Sequence, residues 1–152
     1  MEKPLNNSNT FDICFLTVEN VISHHETIIK REGGAAGILD YGLLESAVMS
    51  PQSGVGMVYL NPTIFHMAAC YLIGISKNHA FKDGNKRTAV MSAGCFLRCN
   101  GHLLTLTEEE LTQLVLDAVE NRKNKEEVAE YFKANTVPFM LPNEECEQKS
   151  VG

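Results

Sequence analysis

The stretch NHAFKDGNKRTAV, from Asn78 to Val90, gathers a histidine, an aromatic ring, an acid, a Gly-Asn pair and two cations into one short segment. If a helix begins just after it, the first turn offers unpaired backbone N–H groups at the positive end of the helix dipole, which favours bound phosphate. Gly84 lets the backbone approach an anion with no Cβ in between. Asn85 can cap the helix or bond a phosphate oxygen. Lys86 adds a compact point charge, and Arg87 adds a planar fork for phosphate oxygens. Asp83 would be repelled by bare phosphates, so its place here makes sense if Mg2+ bridges carboxylate and phosphate. His79 can take a proton from an attacking hydroxyl near neutral pH. Phe81 points inward and pins the loop. These are the parts for phosphoryl or nucleotidyl transfer: a base, a metal ligand, an anion nest and a charge clamp. Each residue alone has an ordinary structural reading, as a loop histidine, a turn, an N-cap or a solvated helix face. Their ordered co-occurrence carries the functional one.

The elements that must hold this segment read as helices almost throughout. Thr17 can cap a helix with Val18, Val21, Ile22, His25, Ile28 and Ile29 three and four apart, stopped by Gly33-Gly34. Asp40 caps a short helix carrying Leu43, Leu44, Ala47 and Val48, which ends before Pro51. Residues 52–60, QSGVGMVYL, read as irregular or hairpin-like. Asn61-Pro62 reads as a cap followed by proline at the first helical position, opening a helix apolar nearly all round and therefore central. A second central helix follows the motif and stops at Asn100-Gly101. Leu103–Leu106 is a short extended link. Thr107 to Glu110 and Asn124 to Glu127 have capping-box spacing before two more amphipathic helices. The expected fold is all-α, a domain of about six helices with the motif at a loop–helix junction. Residues 1–10 are expected as a flexible N-terminus, 11–134 as the domain, and 135–152, with Pro138, Pro142 and an acidic cluster, as a flexible tail.

Composition narrows the partners. Lys and Arg total 13 against 19 Asp and Glu, a net charge of −6, so no basic face for general nucleic-acid binding is expected. No apolar run reaches membrane-spanning length and the N-terminus has no signal-peptide core, so neither membrane insertion nor export is expected. The five cysteines are odd in number and form no CxxC pair, which reads as buried reduced thiols in a cytoplasmic protein. His24, His25, His66 and the Cys95/Cys99 pair read as structural, not as zinc ligands.

The segment HAFKDGNKR resembles the core motif of the Fic/Doc (Fido) superfamily, and specifically its death-on-curing branch in type II toxin–antitoxin systems. FLTVENVISHHETIIKREGG, GILDYGLLESAVMSP and FLRCNGHLL also look like the corresponding segments of Doc-like proteins, so the likeness spans roughly residues 14 to 133. The resemblance implies a Fido fold with ATP and Mg2+ as cofactors. By it, His79 is the general base, Asp83 holds Mg2+, Gly84, Asn85 and Lys86 form the anion nest, and Arg87 neutralises phosphates. Lys86 stands where Fic AMP-transferases carry a second glycine, and Val90 where they carry a second arginine. Both departures are shared with Doc-like toxins, whose site resembles one that binds ATP reversed and passes on the γ-phosphate. The resemblance thus implies phosphorylation of a Ser/Thr hydroxyl on a protein, with a translation elongation factor as the expected target. Protein AMPylation and a non-catalytic binding module are the alternatives. Leu39 stands where the family commonly has a basic residue. Residues 52–60 match the substrate-docking flap of relatives, or are a plain surface loop. The inhibitory pattern S/T-x-x-x-E-G/N fits none of Glu19, Glu32 or Glu120, since Phe15, Ile28 and Leu116 precede them. A separate antitoxin is therefore the expected inhibitor.

Overall fold

The computed structural model describes residues 13–140. Six α-helices dominate: α1 (Val18–Glu32), α2 (Tyr41–Met49), α3 (Ile64–Lys77), α4 (Asn85–Cys99), α5 (Glu108–Val119) and α6 (Lys125–Ala134). Four short strands join them: β1 (Gly54–Val55), β2 (Val58–Tyr59), β3 (His102–Leu104) and β4 (Thr136–Pro138). The mostly helical fold agrees with the expectation.

Local chemistry explains where most helices start. Thr17, Asp40, Thr107 and Asn124 each accept a bond from a backbone amide in the first turn. Three of these ends are full capping boxes, pairing Thr17 with Asn20, Thr107 with Glu110 and Asn124 with Glu127. The expected cap at Asn61 is wrong. The α3 cap is Thr63, whose hydroxyl accepts from His66 N–H. Asn61 is buried and spends its amide on the Pro51 carbonyl at 3.2 Å, which ties off the base of the β1–β2 hairpin.

Helix α3 is the hub. Met67, Ala68, Ala69, Tyr71 and Leu72 are wholly buried, and it packs against α4, α6 and α2. Small residues let the partners close: the Gly74 Cα faces Ala47 of α2, where an added Cβ would lie 3.4 Å from the alanine methyl. The Tyr71 hydroxyl accepts from Leu16 N–H at 3.0 Å, anchoring the segment before α1, and burial holds that phenol well above its usual range. The core closes with Phe96, Leu97, Leu114, Val128 and Phe132.

One stretch and the cysteines differ from expectation. Residues 136–138 were expected in a flexible tail, but Thr136, Val137 and Pro138 pair antiparallel with Leu104, Leu103 and His102. Backbone bonds from Thr105 N–H to Asn135 O and Phe139 N–H to Gly101 O extend this closure, so ordered structure runs past 134. The expectations for residues 1–10 and the rest of the tail from 141 lie outside the described residues. Cys14, Cys70, Cys95 and Cys99 are half-buried instead of fully buried and form no disulfide among the described residues. No helix among those residues is long and apolar enough to cross a membrane.

Candidate active site at the start of α4

The motif occupies the turn between the two central helices. Its Gly84 takes the left-handed conformation (φ 80°, ψ 18°) and forms the N-cap of α4 with no side-chain cap bond. The other five α-helices among the described residues all have one. The α4 ladder opens with Thr88 N–H to Gly84 O at 3.0 Å, which leaves the first-turn amides of Asn85, Lys86 and Arg87 without intrahelical acceptors. An anion is the natural partner for such a set.

Asn85 does not cap this helix. Its Oδ1 accepts from Phe81 N–H at 3.0 Å, and its Nδ2 donates to Phe81 O at 2.9 Å. The side chain is committed to shaping the loop, so only its backbone N–H is left to an anion. Phe81 is buried as expected, and its ring stacks on His25 with centroids 3.9 Å apart. The α1–α2 connection runs alongside: Ile38 bridges Phe81, Leu39 and Asp40 N–H donate to Ala80 O, and Lys82 N–H donates to Gly37 O.

Asp83 is exposed, and its carboxylate is held at both oxygens. Oδ1 accepts from Gly84 N–H at 2.8 Å, and Oδ2 accepts from Ala35 N–H at 3.3 Å. Each oxygen keeps a further lone pair. No cluster of three or more His, Cys, Asp or Glu side chains suited to a metal exists among the described residues. A single hard carboxylate beside an anion nest still fits Mg2+, which binds through one or two carboxylates, substrate phosphates and water.

His79 is exposed with a left-handed backbone (φ 52°), uncommon for a residue with a Cβ. Its flanks are tied down, with Asn78 Nδ2 donating to Leu43 O at 3.1 Å and Ala80 O taking two amides. Arg87 and Lys86 are both exposed. The Arg87 guanidinium donates to Glu32, at the end of α1, at 2.8 Å. A cleft of about 770 Å³ begins at Asp83, Gly84, Asn85, Lys86 and Arg87 and follows α4 toward β3 and α5. Val90 lines it one turn on. The structure thus brings five of the six expected site residues to one wall, and His79 sits outside the lining.

Sequence reading missed three neighbours. His25 was read as a helix-face residue, yet its Nε2 reaches Asp83 O at 2.7 Å. Glu32 fails the inhibitory pattern, yet it meets Arg87. Gly34 was read only as a helix stop, yet a Cβ there would fall 2.6 Å from Asp83 Oδ2. No local signal pointed to them: Glu32 lies 55 residues before Arg87 in the chain and meets it only in the fold.

The Fic/DOC family model matches residues 15–97, more than half of the chain, including the whole motif. The chain belongs to the Fic/Doc family. Among curated relatives, "Protein kinase doc" of Escherichia phage P1 is 33% identical over 115 residues, covering 76% of this chain and 90% of that protein. "Toxin Doc" of Mycolicibacterium smegmatis is 46% identical over 69 residues, covering 45% of this chain. That match spans about half of the mycobacterial protein, 53% of its length.

Proposed function

We propose that this Fic/Doc protein is a Doc-like toxin that transfers the γ-phosphoryl group of Mg-ATP to a Ser/Thr hydroxyl of a protein. The observation that carries the reading is the uncapped start of α4, with Asp83 and Arg87 beside it and Lys86 in its first turn. Similarity to a protein named as a kinase, over nine-tenths of that protein, supports the choice of phosphoryl over AMP transfer.

His79 takes the proton of the acceptor hydroxyl as its oxygen bonds to the γ-phosphorus and the bond to ADP breaks. The first-turn amides and Arg87 hold phosphate oxygens. Asp83 holds the ion, and bound Mg2+ supplies charge neutralisation across the phosphates. Lys86 crowds the nest where the AMP-transferring pattern has glycine, which disfavours seating the α-phosphate there. The β1–β2 hairpin, with Val55, Met57 and Val58 exposed, is the proposed docking edge for the target. We assign the target, by the family likeness, to a translation elongation factor, so that activity arrests translation. Inhibition falls to a separate antitoxin protein, since no S/T-x-x-x-E-G/N pattern occurs in the chain.

The test is transfer from ATP labelled at either the α or the γ position onto the purified elongation factor and onto proteins of a bacterial extract. Label from the γ position alone is expected. Transfer of α label would overturn the kinase reading. Lys86→Gly combined with Val90→Arg is expected to shift transfer toward AMP, and unchanged products would refute the crowding argument.

A further inference from the structure

We propose that His25 on α1 is a positioning residue for Asp83, acting through a contact that fixes the metal ligand from behind. The inference rests on the proposed role of Asp83 toward Mg2+. His25 is 3% exposed, so a polar ring sits in a place that apolar spacing would give to a hydrophobe. Its Nε2 lies 2.7 Å from the Asp83 carbonyl. A carbonyl oxygen only accepts, so in this contact Nε2 carries a proton and donates it. The other face of the contact is the stack on Phe81, with planes 8° apart. Phe81 is in turn clamped by Asn85 through both of its backbone groups. His25 therefore grips both ends of the short span Phe81–Asp83, one by its ring face and the other by its N–H.

The segment that follows the same helix supplies a second hold. After α1 ends, the Gly33-Gly34 turn brings Ala35 N–H to Asp83 Oδ2 at 3.3 Å. Gly34 must lack a Cβ for the carboxylate to lie there, because a methyl would meet Oδ2 at 2.6 Å. Backbone φ of +114° at Gly34 asks for glycine as well. Carbonyl and carboxylate of one residue are thus oriented from α1 and the turn just after it, 58 and 48 positions upstream of Asp83. Partners of this kind tune a metal site strongly: loss of one typically weakens metal affinity about 10–100-fold.

The experiment uses the full chain and two variants. His25→Phe keeps a ring to stack on Phe81 and loses the donor, while His25→Gln keeps a donor. Binding of the β,γ-imido analogue of ATP is titrated by calorimetry across Mg2+ concentrations, with thermal melting as the check on folding. The Mg2+ concentration at half-maximal enhancement is expected to rise about tenfold in His25→Phe and to stay near wild type in His25→Gln. A folded His25→Phe protein with wild-type Mg2+ dependence would overturn the inference. If His25→Phe does not fold, nitrogen-15 NMR of the wild type decides: a proton on Nε2 of His25 is expected, and a proton on Nδ1 alone overturns the contact. A wild-type protein whose analogue binding ignores Mg2+ would sink the role of Asp83 itself, a separate failure that the tautomer measurement leaves untouched.

Discussion

Removing the Glu32 carboxylate should strengthen nucleotide binding, but only slightly. Phosphate and Glu32 compete for the same fork of Arg87, since its guanidinium donates to Glu32 at 2.8 Å. Both side chains are more than 40% exposed, at 43% and 41%, so the pair is screened and costs side-chain entropy. Such pairs are worth about 0.2–1 kcal/mol, so releasing Arg87 should tighten Mg-ATP binding about 1.4- to 5-fold. The assay is calorimetric titration of the β,γ-imido ATP analogue with Mg2+ into wild type, Glu32→Gln and Glu32→Ala. Raising salt should shrink the gap, because exposed charges are screened. Weaker binding in both variants would refute the competition and make Glu32 a support for Arg87. A gain beyond about fifty-fold would show a plug far stronger than an exposed pair allows. At the expected size Glu32 is no off-switch, which agrees with assigning inhibition to a separate protein.

Three further outcomes follow from the geometry. His79→Ala should lower transfer about 10²- to 10⁴-fold while analogue affinity stays within about twofold, because the ring lies outside the cleft wall; undiminished transfer would remove it from the chemistry. Asn85→Ala loses both bonds to the Phe81 backbone and should cost about 1–3 kcal/mol in denaturant unfolding, with Asn85→Asp, which keeps the acceptor, losing less. Burial lowers the His24 pKa below its usual 6.5, while the ring bonds Ser92 at 2.8 Å. The unfolded chain therefore takes up the proton first, so this stability is full above about pH 6.5 and drains away as pH falls below it. Thermal melting from pH 7.5 to 5 should show that slope in wild type and a shallower one in His24→Gln; equal slopes would contradict it.

How much of this could be read from residues alone depends on distance along the chain. Helices α1, α2, α5 and α6 were legible because cap, spacing and stop lie within a few residues of each other. The start of α3 was misplaced because Asn61-Pro62 has the local pattern of a cap and first helical residue, whereas packing buries Asn61 and Thr63 caps the helix. Strand β4 was invisible: three residues including a proline have no periodicity, and only pairing with β3 makes them a strand. Lys86, Arg87 and their neighbours could be found because one turn carries them all. The side chains that support them could not, since His25, Glu32 and Gly34 arrive from α1 through tertiary packing. Asn85 shows the same limit at short range, because whether it caps, binds or braces depends on where Phe81 folds.

The missing cap on α4 also links ligand to folding. Among the described residues, five α-helices cap a first-turn amide with a side chain of their own, while α4, packed along the hub helix α3, has no such cap. A phosphate seated there would act as a cap, and its binding energy would count toward the integrity of the central helix pair. At ligand concentrations a hundred times Kd, mass action alone adds about 2.7 kcal/mol to global stability. Amide exchange should slow through α4 and into α3 when nucleotide is present. Cellular nucleotide level would then govern how long the folded chain survives proteolysis, whether or not a target is at hand.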